Sequence, residues 1–598
     1  MCGKLVRSAT GNDDIYVMLD MGSIRSIIWC CLGTGLITLL SACGGGSGGQ
    51  SAEPTSSLQP SAPATSGSST GTVPTTSEQD LSRTDRVSAA QFLQLATFGA
   101  TAAEIDAKTK VSVDEWLEAQ FQLPISRHTP IVNRYLQTYG YDIDAMPNPG
   151  TFRRFAFWER AIGSPDQLRQ LVAYALAQVF VVSDRPTPIF VNPLALSSYY
   201  DTLLEHSFGN FEDLLFAVTM HPVMGFYLSH VNNAKSDPMA NTFPDENYAR
   251  EVMQLFTIGL YELNLDGSWV LDPAGKPIPT YDNQVIREFS KVFTGLSYGE
   301  TGYSPELMFG KRNPAFNVPM VMFEEFHEPG EKSLLNGEVL PSGQSAMEDI
   351  QGAVKNLFQH ANVGPFIGKL LIQRLITSNP SPAYIARVAS AFNGEGETPR
   401  GDMKALVRAI FTDPEVASAE RIREPFRRYV HMIRALEPTS EDGSYPGLGY
   451  LAQFLTGQHV LSAPSVFNFY SPAFTQPGEL ETLGWVSPEL QITTEDTIVG
   501  ITNLVAATLY REQGLDTPID FPDVTFNLSH YFALADEGEA LVDEIAIVFA
   551  GDQLSDVARS IILDAVEEIP ATNRQDRVNL ALYLTLIAPS YAVLGDDA

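Results

Sequence analysis

Apolar positions recur at helical spacing through most of the chain. Five stretches show the pattern most clearly, with apolar residues three and four positions apart, as is typical of amphipathic or buried α-helices. They cover residues 92–100, 113–121, 168–182, 211–220 and 363–377. The pattern predicts a mainly α protein with a large globular body of many helices.

One segment departs from helical spacing. Two short extended runs flank Asp272-Pro273-Ala274-Gly275, a combination that favours a tight turn. We predict a small β-hairpin excursion near residues 268–281.

The N-terminus has the order of a secretory signal peptide: Arg25, an apolar run over residues 27–40, and then small residues. The run is shorter than the roughly 20 apolar residues that span a bilayer. Its end, Leu-Ser-Ala-Cys43, resembles the bacterial lipobox, in which the cysteine is lipidated. We predict a signal peptide over 1–42, with Met21 as the true start, and a lipid anchor on Cys43. The alternative is an ordinary signal peptide that happens to contain a cysteine.

All four cysteines lie at or before position 43, so the body of the protein has no thiol. This excludes disulfides, cysteine metal ligands and a catalytic cysteine from the body. Residues 43–83 are rich in Gly, Ser, Thr and Pro. This composition predicts a lipidated, flexible tether. The remainder, about 500 residues, exceeds what one core usually holds, so we expect two packed helical lobes, a main one over 84–440 and a C-terminal one over 441–598.

The net charge of −33 changes the expected partners. Such an acidic surface repels phosphate backbones and anionic lipid headgroups, so we expect no nucleic-acid partner. The sequence contains no GxSxG, GxxxxGK or HExxH motif and no GxGxxG after a strand, so we predict no cofactor. A serine triad dispersed along the chain stays open, because triads are defined by geometry.

A polar helix face is the densest cluster of candidate chemistry. After Asp245, which can cap a helix, Glu246, Asn247, Arg250 and Glu251 fall on one arc of a helix that we expect to reach about Leu260. The alternative is an ordinary solvated face, since charged pairs four residues apart are common on surfaces.

A second cluster surrounds a Pro-Gly turn and contains His327, Glu328 and Lys332. A histidine with a nearby carboxylate can act as an acid or base near neutral pH, although a histidine in a polar loop is often only solvated. No two histidines are spaced to share a helix face as metal ligands, and the aspartates near 266–282 lack the ligand pattern of a calcium loop. We therefore predict no metal site, with calcium at Asp266, Asp272 and Asp282 as the alternative.

Aromatic residues are dense in a third stretch, over residues 457–474, which contains Phe467, Phe469 and Tyr470. They predict either a wall or platform for a ligand or plain burial between lobes. The sequence leaves both interpretations open.

Six ordered motifs together carry a family resemblance. They are FLQLATFGATAAEI, ENYAREVMQLFTIGLYELN, YDNQVIREFSKVFTGL, FHEPGEKSLL, SAPSVFNFYSP and a terminal APSYAV. Over residues 89–594 the chain resembles the bacterial family catalogued as domain of unknown function 1800, which implies an exported, largely helical protein often encoded beside a sulfatase-like or phosphatase-like exported protein. The resemblance places Asn247, Arg250 and Glu251 inside the family signature, while Glu328 stands where the family has aspartate.

Two functional hypotheses follow. We favour a non-catalytic binding or assembly factor for a partner exported protein of the sulfatase-like or phosphatase-like kind, held at the cell envelope by the lipid on Cys43, in the outer membrane with the body in the periplasm or at the cell surface. The alternative is a hydrolase of an extracellular polymer or conjugate. In that case a polar cleft would combine Glu251 and His327 as acid and base with a binding set of Glu246, Asn247, Arg250, Glu328 and Lys332.

Overall fold

The computed structural model describes residues 78–142, 148–299, 309–310, 315–510 and 523–595. The predicted signal peptide, Cys43 and most of the tether lie outside these ranges. Within them the protein is mainly α, as the periodicity predicts, with 25 α-helices. None of these helices is both long and apolar enough to cross a membrane.

Thirteen helices precede residue 360. They are α1 Glu78–Ala96, α2 Ala102–Lys108, α3 Val113–Gln122, α4 Thr129–Tyr139, α5 Phe152–Gly163, α6 Gln167–Ala177, α7 Thr187–Phe190, α8 Ala195–His206, α9 Phe211–Met220, α10 Pro222–Tyr227, α11 Asn247–Gln254, α12 Asn283–Val292 and α13 Ala346–Gln359.

Twelve helices follow. They are α14 Val363–Leu375, α15 Pro382–Asn393, α16 Met403–Phe411, α17 Pro425–Ala435, α18 Pro446–Leu455, α19 Glu479–Leu483, α20 Glu495–Leu509, α21 Ser529–Leu534, α22 Gly538–Ala550, α23 Asp556–Glu567, α24 Arg574–Ile587 and α25 Pro589–Ala592.

The strands form short antiparallel pairs, two between nearby segments and two between distant parts of the chain. They are β1 Leu296–Ser297, β2 Val321–Met322, β3 Lys332–Ser333, β4 Val339–Leu340, β5 Arg421–Ile422, β6 Pro438–Thr439, β7 Thr525–Phe526 and β8 Val593–Leu594. The pairs are β1 with β2, β3 with β4, β5 with β8 and β6 with β7. The last two pairs tie the region near residues 421–439 to the C-terminal helices.

The predicted hairpin forms the end of a larger excursion between α11 and α12. Its turn closes through a hydrogen bond of 2.9 Å from Gly275 N to Asp272 O. Three segments then bond in a ring: Glu262 N donates to Ile278 O, Ile278 N donates to Val270 O, and Val270 N donates to Glu262 O. We call residues 260–280 the β excursion.

The core is built on aromatic and aliphatic side chains from both halves of the body. One large cluster of buried apolar residues takes members from α1 to β8, and a separate small cluster joins α4 to α5. The N-terminal helix α1 packs on α22, and residues 76–598 form one compact unit. The lobe boundary at 440 stays a prediction, and the large cluster continues across that position.

Candidate functional site

Helix α11 carries three of the predicted site residues, Glu246 immediately precedes it, and its first turn is set by Asp245. The Asp245 carboxylate accepts a hydrogen bond of 2.8 Å from Asn247 N, which satisfies one of the free donors at the helix start. Asn247 is exposed. Glu246 and Arg250 form a half-exposed ion pair of 3.3 Å, one helical turn apart.

The helix ends at Gln254, earlier than the pattern predicts. The chain turns because Ile258 N and Gly259 N both donate to Met253 O, and Gly259 has φ of +71°, a conformation that favours glycine. A Cβ at Gly259 would also come within 2.9 Å of the Phe366 ring. The close approach of this turn to Phe366 therefore depends on glycine, and it redirects the chain into the β excursion.

Glu251 is the buried member of the predicted face. One of its carboxylate oxygens and the Tyr281 hydroxyl are buried without a hydrogen-bond partner in the described residues. Burial raises the pKa of Glu251, and the charge of Arg250 only partly opposes this. Burial, together with the Glu251 carboxylate, raises the pKa of Tyr281 to about 12.

His327 and Lys332 belong to a buried network around Asp349, a residue that sequence reasoning missed. His327 Nε2 lies 2.8 Å from Asp349 Oδ2, and Lys332 Nζ lies 2.5 Å from the same oxygen. Gln344 donates to the other carboxylate oxygen. Burial disfavours the charged carboxylate, but the hydrogen bonds from His327, Lys332 and Gln344 outweigh it and hold the pKa of Asp349 below its ordinary value.

The remaining polar atoms of this network also have hydrogen-bond partners. His327 Nδ1 lies 2.9 Å from Thr294 O, so both ring nitrogens face oxygen atoms. Lys332 donates to Glu328 O and Gly330 O at 2.6 and 2.9 Å. The Glu328 carboxylate accepts from Ser236 N at 3.0 Å. The network therefore holds the end of α12, the loop at 327–332 and α13 together. We call it the Asp349 clamp.

The structure assembles part of the predicted site. It unites His327, Lys332 and the backbone of Glu328, but no described hydrogen bond or ion pair connects them to Glu251 or Arg250. His327 is 4% exposed and Lys332 1%, so a ligand in solvent does not reach them. The catalytic and binding roles of these residues stay predictions. A sequence signal for Asp349 exists, because it shares a helix face with the buried residues Ala353 and Asn356.

A groove elsewhere on the body combines two adjoining cavities of about 510 and 470 Å³. They share Ser378, Asn379, Trp485 and Val486. We call this the aromatic groove. Sequence reasoning missed it. The β excursion contributes to its wall, whereas the stretch at 457–474 contributes only Pro472 and Ala473, and the aromatic residues Phe467, Phe469 and Tyr470 do not line it.

Exposed aromatic rings distinguish the aromatic groove. Trp269 is 57% exposed and Trp485 is 45% exposed, whereas Trp158 is fully buried in the core. Trp269 lies in the β excursion beside Tyr261, with ring centroids 5.5 Å apart. Trp485 follows Gly484, whose left-handed conformation ends α19 and turns the chain. A tryptophan after glycine in a Gly- and Pro-rich segment was the available sequence signal.

A buried acidic pair lies close to the aromatic groove. Glu489 accepts a hydrogen bond of 3.2 Å from the hydroxyl of the groove residue Ser378. Arg421 lies 3.8 Å from Glu489 and 3.7 Å from Glu424. Burial raises the pKa of Glu489, whereas for Glu424 the charges of Arg421 and Arg427 and hydrogen bonds from Tyr174 and Tyr470 outweigh burial and lower the pKa.

No cluster of three or more His, Cys, Asp or Glu side chains within the described ranges is placed to hold a metal ion. The comparisons with known proteins give one match. A family model described as "Protein of unknown function (DUF1800)" matches residues 91–593. No curated protein and no solved structure matches the chain.

Proposed function

This chain belongs to the DUF1800 family of proteins of unknown function, and on that premise we propose that it is a non-catalytic binding or assembly factor that holds a partner exported protein in the aromatic groove. The observation that carries the proposal is the exposure of Trp269 and Trp485 in one groove. Large apolar side chains that are exposed together in one concave surface mark interaction sites. Tryptophan is also the residue most enriched among those that dominate binding energy.

The placement of His327 and Lys332 adds support. Both side chains are buried and hydrogen-bonded to Asp349, so they stabilise the fold. They are not placed to act on a substrate that approaches from solvent. A partner encoded beside the protein would supply that chemistry. The lipid anchor proposed for Cys43 would keep both proteins at the cell envelope.

Co-purification of the tagged full chain from membranes tests the proposal. Trp269→Ala and Trp485→Ala should each reduce recovery of the partner tenfold or more, since losing a central aromatic contact costs about 2 kcal/mol. Phe243→Ala is the matched control, because Phe243 is 71% exposed but does not line the aromatic groove. Equal recovery with all three variants would contradict the proposal.

The anchor is tested separately. Cys43→Ala should move the protein from the membrane fraction to the soluble fraction without changing its affinity for the partner in solution, because the lipid sets only the location. Retention of the Cys43→Ala variant in membranes would exclude the lipid as the anchor.

One observation favours the alternative of a hydrolase. Glu489 is 1% exposed, but the hydroxyl of the groove residue Ser378 donates to it at 3.2 Å, and burial raises its pKa, which favours the form that can donate a proton towards the groove through Ser378. In that case purified protein incubated with envelope polymers should release products, detected by mass spectrometry, that Glu489→Gln abolishes. Release that persists in Glu489→Gln, or no release from wild type, would reject a role for Glu489.

A further inference from the structure

Most polar side chains of the aromatic groove already have partners within the protein. Asn379 donates to Val486 O at 2.9 Å and accepts from Val486 N at 2.8 Å. The Gln373 amide nitrogen donates to Ser378 O and Pro472 O. These bonds use both polar atoms of the Asn379 amide and the nitrogen of the Gln373 amide. A sugar polymer, which is bound largely through its many hydroxyls, finds fewer partners in this groove than a ligand that is bound mainly through apolar side chains and charged groups.

Lys369 is the exception in the first cavity. It projects from α14, lines the cavity with Tyr261, Trp269 and Trp485, and is exposed. No hydrogen bond or ion pair holds it among the described residues. In a protein with a net charge of −33, an unpaired lysine beside exposed tryptophans provides a local attraction for an acidic group.

The second cavity carries the opposite free charge. Glu420 lines it, is exposed, and forms no ion pair in the described part of the chain. The other exposed carboxylate there, Glu415, is paired with Arg387 at 2.8 Å. The guanidinium of Arg421, which also lines this cavity, is buried between Glu424 and Glu489. The free charges of the aromatic groove are thus an ammonium in one cavity and a carboxylate in the other.

We propose that the aromatic groove binds an extended polypeptide segment with an apolar or aromatic centre, an acidic group on the Lys369 side and a basic group on the Glu420 side. The inference rests on the proposed function and names the ligand of that same groove. The rings of Trp269 and Trp485 supply most of the affinity by burying apolar surface. The two charges set the direction of the segment and disfavour the reversed orientation.

Selection of a phage-displayed library of random dodecapeptides on the purified full chain tests this polarity. Wild type should enrich peptides with an apolar centre, an acidic residue on one side and a basic residue on the other. The exchange variant Lys369→Glu/Glu420→Lys should enrich the opposite order. For a synthetic peptide selected by wild type, each single charge change should weaken binding about three- to fivefold at low salt, and less at high salt.

Two further variants serve as controls for the peptide selection. Trp269→Ala/Trp485→Ala should lose the enrichment, whereas Phe243→Ala should keep it. All of these positions are exposed, so the variants should fold, as circular dichroism and thermal melting can verify. Enrichment without charge order, the same order selected by the exchange variant, or binding of an envelope polysaccharide in place of peptides would overturn the inference.

The two proposals fail in distinguishable ways. If partner recovery depends on Trp269 and Trp485 but the exchange variant does not reverse the selected order, only the ligand assignment is wrong. If neither partner recovery nor peptide enrichment depends on these tryptophans, the proposed function is wrong as well.

Discussion

Asp349 illustrates how single residues hold this protein together. Its carboxylate receives hydrogen bonds from His327, Lys332 and Gln344, and it is 1% exposed. Ions taken out of water are stable only when their partners are in place. The geometry of the loop at 327–332 therefore depends on this one side chain more than on any surface pair nearby.

Replacing Asp349 should expose that dependence. Asp349→Asn leaves Lys332 buried without a counter-charge, so we expect a loss of about 3–5 kcal/mol in the free energy of unfolding. Chemical denaturation followed by circular dichroism measures the loss.

Glu246→Gln is the matched control for this experiment. It removes the same charge from an ion pair in which both side chains are about 40% exposed, and exposed pairs contribute about 0–1 kcal/mol. A loss below about 1 kcal/mol for Asp349→Asn would show that the network does not act as a clamp.

Replacing Glu251, in contrast to Asp349, should increase the free energy of unfolding. Its pKa is raised in the folded protein, so ionising it costs stability as the pH rises above the ordinary value of 4.5. Glu251→Gln should therefore increase the free energy of unfolding at pH 7, by about 1 kcal/mol or less, and have no such benefit in acid. Unfolding curves at the two pH values measure this difference, and a variant less stable than wild type at pH 7 would contradict it.

At the scale of elements, ionic contacts join the first described helix to the last quarter of the chain. Arg86 of α1 binds Glu544 of α22 through two hydrogen bonds of 2.6 and 2.7 Å, and His530 lies 2.7 Å from the same carboxylate. Burial disfavours the Glu544 carboxylate, but these partners lower its pKa to about 2. The hydrogen bond to Glu544 raises the pKa of His530.

These shifts set a pH window for the α1–α22 junction. The contribution of Glu544 is fully present above its ordinary pKa of 4.5 and is lost as the pH falls towards about 2. The contribution of His530 is fully present below 6.5 and is lost as the pH rises through its raised pKa. The junction should be strongest between these ordinary values.

The stability of the Glu544→Gln variant should show this pH dependence. We expect a loss of about 2–3 kcal/mol near pH 5.5, and a smaller difference from wild type both in stronger acid and above neutral pH. Arg86 keeps Asp106 as a partner at 2.7 Å, which limits the loss. Denaturation at several pH values measures the profile, and a difference that is independent of pH would exclude this assignment.

The elements also show what could be predicted from the sequence. The periodicity of residues 113–121, 211–220 and 363–377 predicts α3, α9 and α14 within about two residues, because burying an apolar face dominates helix formation. It overextends α11, since Gly259 packs against Phe366 through a contact that is distant in sequence. Asp349 and Trp485 had local signals, but those signals do not name the partners: Asp349 acts through His327 and Lys332, and Trp485 shares its groove with residues of the distant β excursion.

At the scale of the whole molecule, the continuous apolar core stabilises the fold, and the repulsion between acidic surface groups opposes it. The large core cluster runs from α1 to β8, while the chain carries a net charge of −33. Like charges on one compact body repel and lower its stability. The range of that repulsion depends on the ionic strength.

Added salt should therefore stabilise the protein. Raising NaCl from about 10 to about 100 mM shortens the Debye length from about 30 to about 10 Å, and we expect Tm to increase by about 2–4 °C. Choline chloride at the same concentration should give the same gain, because screening does not depend on the identity of the cation. A Tm that falls with salt would show that attractive ion pairs outweigh the net repulsion.

The β excursion begins and ends at one place on the body. Thr280 N donates to Leu260 O at 3.1 Å, and the Thr280 hydroxyl donates to Gly259 O at 2.6 Å. The backbone ring inside it is closed by its own bonds, and Asn362 of the body adds two more: it accepts from Leu263 N at 3.0 Å and donates to Tyr261 O at 2.9 Å. Because its ends are adjacent, we expect the excursion to be exchangeable as a unit if these backbone bonds are kept. A different sequence of different length could replace residues 261–279 without changing the distance between α11 and α12. Since Tyr261 and Trp269 lie on this excursion, exchanging it between homologous chains would replace these two rings of the proposed binding groove and leave Trp485 in place.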